Sequence, residues 1–282
     1  MMSKVLKVSN SGYYKWRNNK EIVSNKHQKL DKNIKQIFNR SGGTYGSPRI
    51  ALALVESDTA VSKNTIARRM QAMDLTARPK KKYVITTDSN HSFKVPDNLL
   101  DRNFKVDLPN SVWVSDITYI RVANYWMYLT VIIDLADRMV VGWSLSRDMT
   151  AHKTVIAAFK TAAANRGLSK THQLLFHSDR GVQYACKDFI KILRSYGCTQ
   201  SMSRKGNCWD NAVAESFFKT LKVECLNKYI FGNKSILKKV VFRYIDGWYN
   251  TLRIHSTLGG ISPLNAFKQY ILSSQEPKYI LP

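Results

Sequence analysis

The spacing of apolar residues changes character twice along this chain. Between residues 31 and 78 it has the period of helices. In DKNIKQIFNR, Ile34, Ile37 and Phe38 share one face. In GGTYGSPRIALALVE, Ser47 reads as an N-cap with Pro48 at the first helical position. A second start follows at Ser62 in VSKNTIARRMQAMDL. There Val61, Ile66, Met70 and Met73 face inward, and Lys63, Asn64, Arg68 and Arg69 point outward. Two short helices, the second displaying basic and amide side chains, predict a helix-turn-helix-like unit, with a plain helical bundle as the alternative. From residue 110 the period becomes that of strands. VWVSDITYIRV, YWMYLTVIIDLAD and RMVVGWSLS predict an antiparallel meander. A helix (TAHKTVIAAFKTAAANRG), a strand (HQLLFHSD), a helix (GVQYACKDFIKILRSYG), a short strand (TQSMS) and a further helix follow. The order β-β-β-α-β-α-β-α predicts an α/β fold: a mixed five-stranded sheet with flanking helices, preceded by a small all-helical domain.

The remaining segments complete the division. Residues 1–30 form a basic arm in which Tyr13, Tyr14 and Trp16 are interleaved with Lys15, Arg17 and Lys20, a pattern suited equally to nucleic acid and to a docking helix. Residues 79–108, basic and then polar with several prolines, read as a linker. The strand-rich core is assigned to 109–228 and a C-terminal helical extension to 229–282.

Charge adds a partner. The formal net charge is +24, with 21 Lys and Arg against 9 Asp and Glu in residues 1–108, and 23 against 11 in 109–282. Both halves are basic, so the expected ligand runs along the whole molecule, and double-stranded DNA fits. The four cysteines, Cys186, Cys198, Cys208 and Cys225, lack the paired spacing of a zinc site and read as reduced thiols. No apolar run is long enough to span a membrane, which implies a cytoplasmic, nucleoid-associated protein.

Against this basic background the acids of the strand-rich region stand out. Asp116 interrupts an apolar strand, where an unpaired carboxylate is costly. Asp179 ends the fourth strand, where α/β sheets present ligands. Glu215 lies on the helix after the fifth. Such a set can hold divalent metal at a phosphodiester. Each also has a local reading: a turn cap for Asp116 and Asp179, and a helical pair with Lys219 for Glu215. Asp134, at the end of the second strand, is the strongest rival ligand, and Asp210 reads as a helix N-cap. Lone histidines are often structural, and His177 is of that kind, with metal or phosphate contact as its other reading. Arg180, Gln183, Lys205, Asn207 and Asn211 are candidate DNA contacts near the site. Arg253 and His255 would close the core from the C-terminal segment, and Trp113, Trp126 and Trp143 read as core. On the helix 208–222, Asn211, Glu215, Lys219 and Lys222 share one face, and Val213, Phe217 and Leu221 another.

The segments SDITYI, HSDRGVQYA and NAVAESFFKTLKVE resemble the DDE transposases and retroviral integrases, with 35 residues between Asp179 and Glu215 and Lys222 seven after the glutamate. YNTLRIHSTLGGISPLNAF, SNSGYYKWR and YGSPRI extend the likeness over nearly the whole chain, closest to the OrfB-type insertion-sequence transposases of the IS-three family. The resemblance implies a ribonuclease-H-like fold, with Asp116, Asp179 and Glu215 holding Mg2+ or Mn2+ as two ions. It implies water attack that frees a 3′-hydroxyl at a transposon end, then attack by that hydroxyl on another strand. It also implies a homo-oligomer on DNA, and the upstream-frame product or a frameshift-fused transposase as partner. A ribonuclease-H-class nuclease and a DNA-binding regulator that acts with or against the fused enzyme are the alternatives.

Overall fold

A computed structural model of the chain describes residues 9–55, 59–77 and 95–275. The chain divides into two compact units, Met1–Pro79 and Lys80–Pro282.

The first unit holds α1 (Asn10–Arg40), α2 (Ser47–Val55) and α3 (Lys63–Ala72). Ile34, Tyr45, Ile50, Leu54, Ile66 and Met70 are buried. The Ser62 side chain caps α3 by accepting from Thr65 N at 3.2 Å, as expected. Two readings need correction. The boundary at residue 30 is not a break: α1 runs through it for 31 residues, started by Ser9, which accepts from Gly12 N. No proline and, after Gly12, no glycine interrupts that stretch. Ser47 lies inside α2, since the Arg49 and Ile50 amides both bond to Gly46 O.

The second unit holds a five-stranded sheet of order β3-β2-β1-β4-β5. Its strands are β1 (Val112–Val122), β2 (Tyr125–Asp134), β3 (Val140–Ser146), β4 (Leu175–Ser178) and β5 (Thr199–Met202). β1–β2 and β2–β3 are antiparallel, whereas β1–β4 and β4–β5 are parallel. The helices are α4 (Ala157–Asn165, entered through a π-helical turn), α5 (Val182–Ala185), α6 (Lys187–Ser195), α7 (Ala212–Glu224), α8 (Lys234–Tyr244) and α9 (Pro263–Gln275). Pleating sends alternate residues of β1 to two cores. Val114, Ile120 and Val122 meet Phe217, Phe218 and Leu221 of α7, and Leu237 and Val241 of α8. Trp113 meets Phe159, Phe176 and Phe189 on the other face. Gly142 lets α4 approach β3, for a Cβ there would stand 2.5 Å from Ala158 O.

Segments assigned outside the core belong to it. Residues 95–108 are joined to the sheet: Leu100 is buried, and the Leu99 and Leu100 amides donate to Ser201 Oγ. The rest of the expected linker, 79–94, lies outside the described residues. α8 shares a core with α7, so the C-terminal extension completes the sheet's cover. Trp113 is buried, and Trp143 is half-buried with Nε1 donating to Asp246. Trp126 departs from the core reading at 46% exposed, because its strand position faces outward where neither core extends. Among the described residues no helix is long and apolar enough to cross a membrane.

Candidate active site

Strand register brings the first two carboxylates together. β1 and β4 run parallel with Ser115 beside Ser178, so the next residues, Asp116 and Asp179, leave neighbouring strands at one level. The third comes through a helix anchored at the same place. Asn211 Nδ2 donates 3.0 Å to Ser115 O, which fixes the start of α7 against β1. Glu215, one turn later, faces the strand pair. Below them Tyr184 Oη and Ser115 Oγ form a 2.8 Å hydrogen bond that ties α5 to β1.

The electrostatics show that the three act on one another. Burial raises the Asp116 carboxyl well above the usual carboxylate range, the charges of Asp179 and Glu215 raise it further, and the Lys222 charge opposes them. Glu215 is raised by burial and then by Asp179. Lys222 is lowered by burial, while Asp116 holds it up. Mutually repelling, partly desolvated carboxylates favour whatever cation replaces their protons.

Among the described residues no three donors are gathered into a ready-made metal cage. The donor chemistry nevertheless fits a hard divalent ion. All three groups offer carboxylate oxygen, and magnesium retains water and accepts substrate phosphate as further ligands. Asp116 Oδ1 accepts from Ile117 N at 2.8 Å, and Asp179 Oδ1 from Gly181 N at 3.0 Å. A side chain at 181 would crowd Asp179, since a Cβ there stands 3.1 Å from its Oδ1.

The rival acids have structural work. Asp134 is fully buried and accepts from Asn110 N, Trp113 Nε1 and Ala136 N. Asp210 is not the cap of α7. Its buried carboxylate accepts from Arg204 N, Nε and Nη2, from Arg102 Nε and from Asn98 Nδ2. Those donors, Arg204 first, hold its carboxyl well below the usual range. The clamp joins residues 98–102 to the loop that leads into α7. His177 is fully buried, with Nδ1 2.8 Å from Ser201 Oγ and Nε2 3.3 Å from Ser203 Oγ. Burial lowers its pKa to about 4, so it is a neutral support under Asp179.

The candidate DNA contacts divide in the same way. Lys63, Asn64, Arg68, Lys205 and Lys219 are exposed, and Gln183 is half-buried. Lys222 is half-buried, its Nζ 5.8 Å from the Tyr119 ring centre. Four have partners within the fold. Arg69 faces α1, where its Nε donates 2.8 Å to Asp31 Oδ1 and its Nη2 pairs with the other oxygen. Asn211 is buried by its bond to β1. Asn207 Oδ1 accepts from Arg102 Nη2 at 2.9 Å, and this holds it to the Asp210 clamp. Arg180 Nε donates to Ser203 O at 2.9 Å. On α7 the buried stripe is Ala214, Phe217, Phe218 and Leu221, with Val213 only partly covered.

Sequence reasoning passed over Glu224, which a helix-end position among lysines disguised. Its carboxylate, buried at the end of α7, accepts from Arg253 Nε and Nη2 at 3.0 and 2.9 Å and from Tyr244 Oη at 2.8 Å. Arg253 Nη1 lies 3.2 Å from His255 Nε2, so the terminal motif does close the core.

Known families and proteins are similar to this chain over most of its length. Residues 107–208 match an integrase core domain family, residues 196–263 a second integrase core family, and residues 25–83 an HTH-like domain family. The chain is 37% identical over 265 residues to transposase InsF for insertion sequence IS3A of Escherichia coli (strain K12), covering 93% of this chain and 91% of that protein. It is 38% identical over 269 residues to the insertion element IS600 uncharacterized 31 kDa protein of Shigella sonnei, covering 95% and 97%. A solved relative in outline is the HTLV-2 integrase catalytic core domain in complex with magnesium, at 23% identity and TM-score 0.42 over 56% of this chain and 95% of that one.

Proposed function

Since this chain belongs to the insertion-sequence IS3 transposase family and carries its integrase core and HTH-like domains, we propose that Asp116, Asp179 and Glu215 are its catalytic metal ligands for DNA cleavage and strand transfer. The observation that carries the assignment is the convergence of the middle of β1, the end of β4 and one anchored helix on a single set of interacting carboxylates. A pair of Mg2+ or Mn2+ ions held there supplies Lewis-acid polarisation of the phosphodiester. The chain's own part is to hold and orient. Lys219 and Lys222 draw the DNA backbone to the carboxylates. His177, Ser201 and Ser203 keep the end of β4 in place. The Asp210 clamp and the Asn211 bond fix the approach of α7. In the first step a water oxygen bonds to phosphorus and the 3′-oxygen leaves as a hydroxyl. In the second that hydroxyl attacks phosphorus in another strand, so one phosphodiester forms as one breaks.

Lys63, Asn64 and Arg68 on the exposed face of α3 contact the transposon end. The chain works as a homo-oligomer on two ends in the cytoplasm, alone or with the upstream-frame product. The test offers the full chain labelled transposon-end duplex and Mg2+. Asp116→Asn, Asp179→Asn and Glu215→Gln each abolish nicked and joined products while DNA binding persists. Equal cutting by wild type and the three variants would overturn the assignment. Nicking without joined product would favour the nuclease reading.

A further inference from the structure

Beyond Asp116, β1 continues for six residues to Val122 with no partner from β4, whose ladder with β1 ends at Ser115 and Ser178. On this half the sheet face opposite Val114, Ile120 and Val122 carries an unusual set of side chains. Tyr119 stands directly across from Tyr128, and Arg121 across from Trp126, so the four form a square on one face. Neither hydrophobic core takes in Tyr119, Trp126 or Tyr128. Tyr119 and Trp126 meet edge to face, with centroids 5.2 Å apart at 88°. The Arg121 guanidinium lies 5.8 Å from the Trp126 ring centre, and Lys222 Nζ the same distance from Tyr119. Trp126 remains 46% exposed.

Chemistry selects the occupant. Large aromatic rings left in water at a sheet face mark a contact surface. The cations beside them are Arg121 and Lys222, and among the described residues of β1 and β2 beyond Asp116 the sole acid is Asp134, at the far end of β2. Rings that stack on bases, flanked by cations that meet phosphates, suit a single strand of nucleic acid, because every unpaired base offers a flat face. Lys222 stands between the patch and the carboxylates: its Nζ lies 5.8 Å from the Tyr119 ring centre, and its charge acts on Asp116. We infer that Trp126, Tyr119 and Arg121 form a binding surface for unpaired DNA, which takes the nucleotides next to the cleaved position as they separate from the duplex. The inference rests on the assignment of Asp116, Asp179 and Glu215 as the cleavage centre, and is tested without cleavage.

The experiment measures binding of a fluorescein-labelled oligo-dT, and of a forked and a blunt duplex of one sequence, to the full chain in EDTA. Circular dichroism confirms that each variant is folded. Trp126→Ala weakens oligo-dT and forked DNA by about 5- to 150-fold, the range of one lost base stack, and blunt duplex far less. Trp126→Phe recovers most of the loss. Arg121→Ala lowers the steepness of salt dependence by about 0.7, one single-strand phosphate contact, and Arg121→Lys restores it. Unchanged oligo-dT affinity in Trp126→Ala overturns the inference. So does an equal loss on blunt duplex, or a fall in oligomeric state by sedimentation with no loss of oligo-dT binding, which would assign the patch to contact between copies.

Discussion

The buried pair Glu224–Arg253 gives the sharpest test of how the C-terminal segment supports α7, the helix that carries Glu215. Arg253 is 3% exposed and Glu224 8%, and the two share a forked contact at 2.9 and 3.0 Å. Tyr244 supplies Glu224 with a third donor. Arg253→Ala leaves a carboxylate in the core with that hydroxyl as its named remaining side-chain donor. Breaking such a pair costs about 3–5 kcal/mol. In a unit of this size that lowers the melting temperature by about 6–20 °C. Glu224→Gln strands the guanidinium and costs a similar amount. The double variant Glu224→Leu with Arg253→Met removes both charges and keeps apolar volume, so it recovers most of the loss. Calorimetry on wild type, Glu224→Leu alone, Arg253→Met alone and the double variant closes a double-mutant cycle with a coupling of at least about 2 kcal/mol. Strand cleavage at a temperature where all four are folded falls in the single variants, because α7 carries both Glu215 and Glu224. A coupling near zero, or a double variant as unstable as the sum of the singles, would refute the reasoning.

Three further outcomes follow from the same structure. Asp210 has a folded pKa below its unfolded value, so its clamp contributes stability above the usual carboxylate range and loses it as pH falls below about 4. Acid titration by tryptophan fluorescence should therefore show a transition that Asp210→Asn flattens. Arg69→Ala loosens the first unit, by about 1–3 kcal/mol in urea unfolding, through loss of its bonds to Asp31, whereas Arg68→Ala leaves stability alone and weakens binding to transposon ends. Gly142→Ala forces a methyl against Ala158 O and the Ala162 backbone, and costs at least about 1–3 kcal/mol by calorimetry.

Much of the fold was legible because its signals are local and periodic. The strand runs, the Ser62 cap and the order of elements each depend on neighbours in sequence, and the carboxylates stood out by charge contrast in apolar surroundings. What escaped depended on distant partners. Arg69 and Asn211 occupy helix positions that look outward by spacing, yet Asp31 and Ser115 O lie close enough to claim them. Asp210 has the composition of a cap, but two arginines in separate segments make it a clamp. Glu224 carried no reading of its own, because its partner Arg253 lies far along the chain. Trp126 alternates correctly for a strand, and only the end of the covering layers leaves it in solvent.

The central claim is that Asp116, Asp179 and Glu215 make one cation site. Electron paramagnetic resonance of free Mn2+, titrated with the full chain bound to transposon-end DNA, reads this without turnover. Wild type should remove the free-ion signal in step with added protein, and Asp116→Asn, Asp179→Asn and Glu215→Gln should each weaken that uptake at least about tenfold, as loss of a charged oxygen ligand demands. Uptake that all three substitutions leave unchanged would place the metal elsewhere and contradict the account.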